Sequence, residues 1–289
     1  MFRGPASASS RADSERSSLV APGVALVLAS LGMAGCRALP EAPTELSDLS
    51  TWLFQHFEDE DPAVLAVGLG NLQAHFEAQG VDQAFEDQAW ALLPLTDEHV
   101  ADVEHPDRDP SAALPVGLVA GTAFSPAAHA EVVILPDQTP VEPASPELYE
   151  RSFLDPGDPA CFPGQACPTL RTDNRIRKEN LLMSIEYSKL KDYRWSEAWR
   201  TERQGEPCFI GRSWFEVEAL GDQEATAIYQ SYSIDVVLPD GAGGGLRYVA
   251  LWTEASMYGA SDDIIQSTMR AGLEDMLIAT EAWLEEQSR

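Results

Sequence analysis

Apolar residues first recur at helical spacing from Leu46, through Leu49, Leu53 and Phe57, with Trp52 and Phe54 beside them and Thr44 placed to cap the start. Asp61-Pro62 signals a second helix, a capping residue followed by proline, with Leu65, Leu69, Leu72 and Phe76 on one stripe and Gly80 at its end. The pattern predicts a third helix near Gln83–Leu93 and a short fourth from Thr96 toward Glu104. After a break at Pro106–Pro110, Val116–Phe124 reads as a strand, and Ser125-Pro126 opens a helix carrying Val132, Val133 and Ile134. Residues 136–172 read as a long, proline-rich connection with one helical turn at Pro146–Phe153. The period then changes to two. Leu181, Met183, Ile185 and Tyr187 lead into Tyr193, Trp195 and Trp199, then Phe209, Phe215 and Val217. Ile228, Tyr232, Ile234, Val236 and Leu238 follow, and Tyr248, Ala250 and Trp252 close the series. Turn signals at Lys191-Asp192, Gln204–Pro207, Gly221-Asp222 and Pro239–Gly245 divide these runs into an antiparallel meander of five strands. Last comes one long helix, capped at Ser261, with Ile265, Met269, Gly272, Met276, Ala279 and Trp283 on a single face.

These elements define an α+β chain: a small N-terminal helical unit, then a curved antiparallel meander sheet with a long C-terminal helix. The predicted boundaries are residues 44–110 for the helical unit and 111–289 for the α+β domain.

Charge narrows the partners. The chain carries 47 acidic against 19 basic residues, a net charge of −28, so nucleic acid is excluded as a partner by repulsion. The basic residues concentrate between Arg171 and Arg212, which is read as a solvated basic strand edge that discourages edge pairing.

The N-terminus changes the picture again. Arg3, Arg11 and Arg16 precede an apolar run from Leu19 to Ala34, which is too short and too broken by Pro22-Gly23 for a membrane span. It ends in Met33-Ala34-Gly35-Cys36, which resembles the lipobox of bacterial lipoproteins. That resemblance implies a signal peptide over residues 1–35, acylation of Cys36, a tether over 36–43 and the lipid bilayer as a partner. Arg37 after the cysteine, rather than aspartate, points to the outer membrane facing the periplasm. In such an oxidising compartment Cys161 and Cys167, in a Pro/Gly-rich loop, are expected to form a disulfide, leaving Cys208 as a buried thiol; a bond from Cys208 to one of the loop cysteines is the alternative.

Strand, helix, curved antiparallel strands and a long last helix, over Val116 to Gln287, is an order similar to that of helix-grip, START-like proteins. The resemblance lies in element order and implies an apolar ligand held between sheet and helix. Trp195, Trp199, Arg212, Trp214, Tyr232, Arg247 and Trp252 are the candidate ligand-binding residues. The competing reading of the aromatics is core packing, and that of Arg212 and Arg247, with Glu216 and Glu254 nearby, is cross-strand salt bridges on an exposed face. Asp97, Glu98, His99, Asp102, Glu104, His105, Asp107 and Asp109 form the best titratable cluster, but their spacings match no metal site and they read as solvated acidic surface. Gly68-Leu-Gly70 lacks the third glycine and the preceding strand of a dinucleotide motif. No catalytic residue, metal or cofactor is assigned. The expectation is a tethered, non-catalytic lipoprotein that binds an apolar or amphipathic ligand; the alternatives are an envelope scaffold or a metal-dependent enzyme.

Overall fold

Fourteen residues of uninterrupted ladder hydrogen bonding, from Ser184 to Glu197, form the longest strand of the sheet. In this computed structural model, residues 41–79, 92–179, 184–199, 206–222 and 225–289 are described, all within one unit, Leu39–Arg289. The segment with the lipobox and Cys36 lies outside the described residues, as does most of the third expected helix.

The described residues form four α-helices and eight strands: α1 (Leu46–Gln55), α2 (Pro62–Gln79), β1 (Leu114–Thr122), α3 (Pro126–Val133), β2 (Leu148–Asp155), β3 (Thr169–Glu179), β4 (Ser184–Glu197), β5 (Pro207–Trp214), β6 (Ala219–Leu220), β7 (Ala227–Pro239), β8 (Gly245–Ser256) and α4 (Asp262–Gln287). The sheet order is β1-β8-β7-β5-β4-β3-β2, antiparallel throughout, with the short β6 added to β7. The chain is therefore α+β, with the helix closing the sequence lying against the sheet. The β7–β8 turn shows how local chemistry fixes register. Asp240 Oδ1 accepts from the amides of Ala242 (2.7 Å) and Gly244 (3.0 Å), and Gly241 and Gly243 supply the positive φ the turn needs.

Both faces of the sheet are covered. On one face Ile210, Trp214, Tyr232, Ile234, Val236, Tyr248, Ala250 and Trp252 share a core with α1, α2 and Leu92, Leu95, Val100 and Val103. The Ser50 and Tyr248 hydroxyls meet there at 2.6 Å. Gly70 explains itself at this junction: any Cβ would overlap the backbone carbonyl of Trp199, whose amide donates to Ala66 O at 2.9 Å. The two glycines of α2 thus permit close packing rather than phosphate binding. The opposite face receives α4, which packs on β1, and α3.

Several expectations are corrected. Residues 146–153 are not a helical turn but strand β2, and much of the supposed connection is β2 and the start of β3. The alternation was hidden because the inward positions include Arg151, Thr172 and Asn174, all buried. Arg151 Nε donates to Asn174 Oδ1 at 2.8 Å, and its Nη1 donates to the Val133 carbonyl, so burial is matched by bonding. Lys191-Asp192 is not a turn but lies within β4, where Asp192 is buried and accepts two 2.6 Å bonds from Arg171. Thr96–Glu104 forms turns with i to i+3 backbone bonds, from His99 to Thr96 and from Val103 to Val100, and not an α-helix. The arginines of β3 do not guard an edge. β3 is internal, and Arg171, Arg175 and Arg177 pair with Asp192, Glu186 and Glu179. Cys161 and Cys167 are joined, and Cys208 is a buried free thiol, its pKa pushed up by burial.

Candidate functional site

Alternation along the strands sends one set of side chains to α1 and α2 and the other to α4. The second set does not meet α4 everywhere. Between them lies a cavity of about 400 Å³, open to solvent, lined from β3, β4, β5, β7, β8, α4 and the Glu142–Ala144 segment. Two glycines make the room. A Cβ on Gly272, in the middle of α4, would meet nothing within 4 Å. One on Gly211 of β5 would press to 2.9 Å on the ring of Tyr193.

The lining is mixed. One end is apolar: Phe215, Ile228, Ala255, Met257 and Met269, with Tyr187 stacked against Phe215 at 4.7 Å between ring centroids. The middle carries the hydroxyls of Ser213, Ser231, Ser233 and Thr253; Ser213 and Ser233 meet at 2.6 Å. Charge is spread along the same wall: Lys191 lies opposite Ser213, Lys189 lies two residues nearer Tyr187, and Asp235 lies opposite Gly211. Arg247 holds Asp235 by two bonds, 2.9 Å from Nε and 2.6 Å from Nη2, and donates to Thr280 Oγ1 of α4 at 3.1 Å. A neighbouring polar void of about 40 Å³, between His129, Arg151, Asp235, Arg247 and Thr280, has room for water.

The charges are not equivalent. Burial strongly disfavours the Lys189 ammonium, and Lys191 and Lys178 repel it further, so its pKa falls well below the ordinary lysine value; Glu142 and Asp235 only partly oppose this. Burial also acts on Lys191, but the tyrosines at 149 and 193 outweigh it and its pKa rises. Its Nζ sits 5.5 Å from the centroid of the Tyr149 ring. Burial pushes the Asp235 carboxyl up, yet Arg247 more than reverses this and holds it below the usual range.

His129, at the end of the smaller void, is buried, with Nε2 2.8 Å from Thr122 Oγ1. Burial, and then the positive Arg247, lower its pKa to about 3, with Asp235 opposing; Glu281 stands 3.7 Å away. The folded protein therefore refuses a proton that the unfolded chain accepts near pH 6.5. This contribution is complete above about pH 6.5 and is lost as pH falls toward 3. Between pH 6.5 and about pH 5 the loss is about 2 kcal/mol. Urea unfolding at both pH values should show it, and His129→Gln should flatten the slope by that amount.

The aromatic candidates are placed elsewhere. Trp214, Tyr232 and Trp252 belong to the core against α1 and α2, on the face away from the cavity. Their side chains have the opposite strand parity to the lining residues, so they pack and do not face a ligand. Arg212 borders the cavity from β5, but its guanidinium lies on that other face, bonded to Asp102 at 2.7 Å. Trp195 packs with Phe162 and Phe209 and donates from Nε1 to the Phe162 carbonyl at 2.7 Å. Trp199 donates to Glu197 at 2.7 Å, beside α2. Arg247 faces the α4 side, as Asp235's partner in the interior rather than in an exposed ladder, and Trp195 lies on the same face of the sheet beside α3; Glu254 instead pairs with Arg108. The pattern of the chain assigns neither the lysines nor the Ser231-Ser233-Asp235 series to a site. The available signal was compositional: the chain's three lysines all fall within Lys178–Lys191. No group of metal-ligating side chains is found among the described residues.

The class is thus an α+β fold in which an antiparallel sheet and a long helix enclose a cavity. No protein-family model and no curated protein matches the chain. Among solved structures it is similar to a protein from Thermus thermophilus, at 13% identity over 61% of this chain and 100% of the other, with a TM-score of 0.39. It is also similar to a START superfamily protein from Mycobacterium smegmatis, at 14% identity over 60% and 98%, TM-score 0.34. A third is the Zhui aromatase/cyclase from a Streptomyces species, at 12% identity over 61% and 96%, TM-score 0.38.

Proposed function

We propose that the protein is a lipid-anchored, non-catalytic carrier or sensor that takes up an amphipathic small molecule between its sheet and α4. The observation that carries this reading is the cavity of about 400 Å³, whose lining combines apolar side chains, Phe215, Ile228 and Met257, with the charged Lys189, Lys191 and Asp235. That volume lies within the range of small-molecule sites, about 300–1,000 Å³. The polar groups would orient the ligand, and the methionines Met257, Met269 and Met276 would adapt to its tail. Cys36 is the proposed anchor, acylated after removal of residues 1–35 and holding the chain on the outer membrane facing the periplasm.

Displacement of a fluorescent reporter, 1-anilinonaphthalene-8-sulfonate, by alkyl amphiphiles of increasing length tests the binding half. Saturable displacement that strengthens with chain length is expected; a reporter that never binds the purified full-length chain would sink the reading. Metabolic labelling with an alkynyl fatty acid tests the anchor. Label and membrane association should both be lost in Cys36→Ser, and an unlabelled wild-type chain would exclude acylation.

A further inference from the structure

Of the 19 basic residues in this chain only three are lysines, and Lys178, Lys189 and Lys191 all line one cavity. Every basic residue outside that wall is an arginine. Arginine would serve as well or better for a permanent positive charge, because it stays protonated in any environment and forks onto anions. What lysine offers and arginine does not is an amine that can lose its proton and act as a nucleophile. Lys189 is the one so placed. It sits on β4 between Tyr187 and Lys191 on the cavity face, and no hydrogen bond or ion pair holds its Nζ among the described residues.

We infer that Lys189 is a reactive amine and that the ligand of this cavity carries an aldehyde or ketone, captured reversibly as an imine. This rests on the proposed use of the cavity and specifies its chemistry. The Nζ lone pair attacks the carbonyl carbon, and the C=O π pair moves to oxygen. A proton passes from nitrogen to that oxygen, giving a carbinolamine. Loss of water then leaves C=N, so amine plus carbonyl gives imine plus water and no oxidant or reductant is required. The surroundings suit each part. Lys191 and Lys178 disfavour a proton on Lys189, while Glu142 and Asp235 limit that effect. The paired hydroxyls of Ser213 and Ser233, also on the lining, can donate to the developing alkoxide and relay the proton. The apolar end accepts the chain that bears the carbonyl.

The test treats the full-length protein at about pH 7 with decanal and sodium cyanoborohydride, which reduces any imine to a stable amine, and maps adducts by peptide mass spectrometry. Labelling at Lys189 should exceed that at Lys178 and Lys191 by at least about tenfold, since each unit of pKa depression raises the neutral fraction of a lysine about tenfold. Lys189→Arg, checked for folding by circular dichroism, should lose the adduct, and excess decanol should suppress it in wild type by occupying the cavity. Equal labelling of all amines would overturn the inference. So would reporter binding displaced by decanoate with no adduct, which would make the lysines an anion site. A chain that neither binds the reporter nor forms an adduct loses the cavity reading as well, so the two failures are separable.

Discussion

Gly272→Phe is expected to abolish ligand uptake while leaving the protein as stable as before, or more so. Gly272 lies in the middle of the 26-residue α4, where glycine costs about 1 kcal/mol relative to alanine. No packing need explains it locally, because a Cβ there meets nothing within 4 Å and the residue lines the cavity. A benzyl group there would take up space in the cavity that Val249, Leu251, Leu273 and Met276 also line. Affinity for 1-anilinonaphthalene-8-sulfonate should fall by more than about 100-fold, which is about 2.8 kcal/mol. Gly272→Ala serves as the companion: it should gain about 0.5–1 kcal/mol of stability, with little change in binding. Fluorescence titration and thermal melts of the three proteins separate the outcomes. If phenylalanine stabilises the fold and binding persists, the ligand does not sit under α4. If it destabilises, α4 packs more closely on the sheet than the cavity implies.

How far this arrangement could be read in the chain depended on whether the buried face of an element was apolar. α1 and α2 bury leucine and phenylalanine stripes at helical spacing and α4 buries Ile265, Leu277 and Leu284, and their limits agree with the pattern to within a few residues. β7 and β8 likewise announce themselves through Tyr232, Ile234, Val236, Tyr248 and Trp252. β2 and β3 do not, because Arg151, Thr172 and Asn174 satisfy one another inside the protein and imitate a solvated segment. The same cause misplaced the site. In a strand buried on both faces the apolar parity looks like the interior and the polar parity like solvent. Here Tyr232 and Ile234 face the helices, whereas Ser231, Ser233 and Asp235 face the cavity. A cavity built from serines, lysines and an ion pair has no apolar period, so aromatic density pointed to the solid core. Only topology reveals that both faces are covered.

Arg212→Ala should be the most damaging single change on that solid side. Arg212 is 1% exposed. Its guanidinium carbon lies 4.8 Å from the ring centroid of Phe57, 5.3 Å from Trp214 and 5.4 Å from Phe54. Nη1 donates to Asp102 at 2.7 Å and to the Phe54 carbonyl at 3.3 Å, while Nη2 reaches Glu58 at 3.6 Å. One side chain thereby ties the end of α1 and the segment after α2 to strand β5. Two effects compete in judging the cost. Removing one member of a buried ion pair costs about 3–5 kcal/mol when the other is stranded, but Asp102 and Glu58 are 37% and 52% exposed and can rehydrate. The loss must then come mainly from the emptied aromatic cage, at about 3 kcal/mol in total. For a chain of this size that lowers Tm by about 6–12 °C. Arg212→Met discriminates the two terms. It keeps an unbranched chain among the three rings and removes a charge whose Nε already lacks an acceptor among the described residues. If packing dominates, methionine should recover more than half of the alanine loss; if both variants melt alike, the Asp102 pairing is what secures α1 to the sheet, and Asp102→Asn should reproduce most of the same loss.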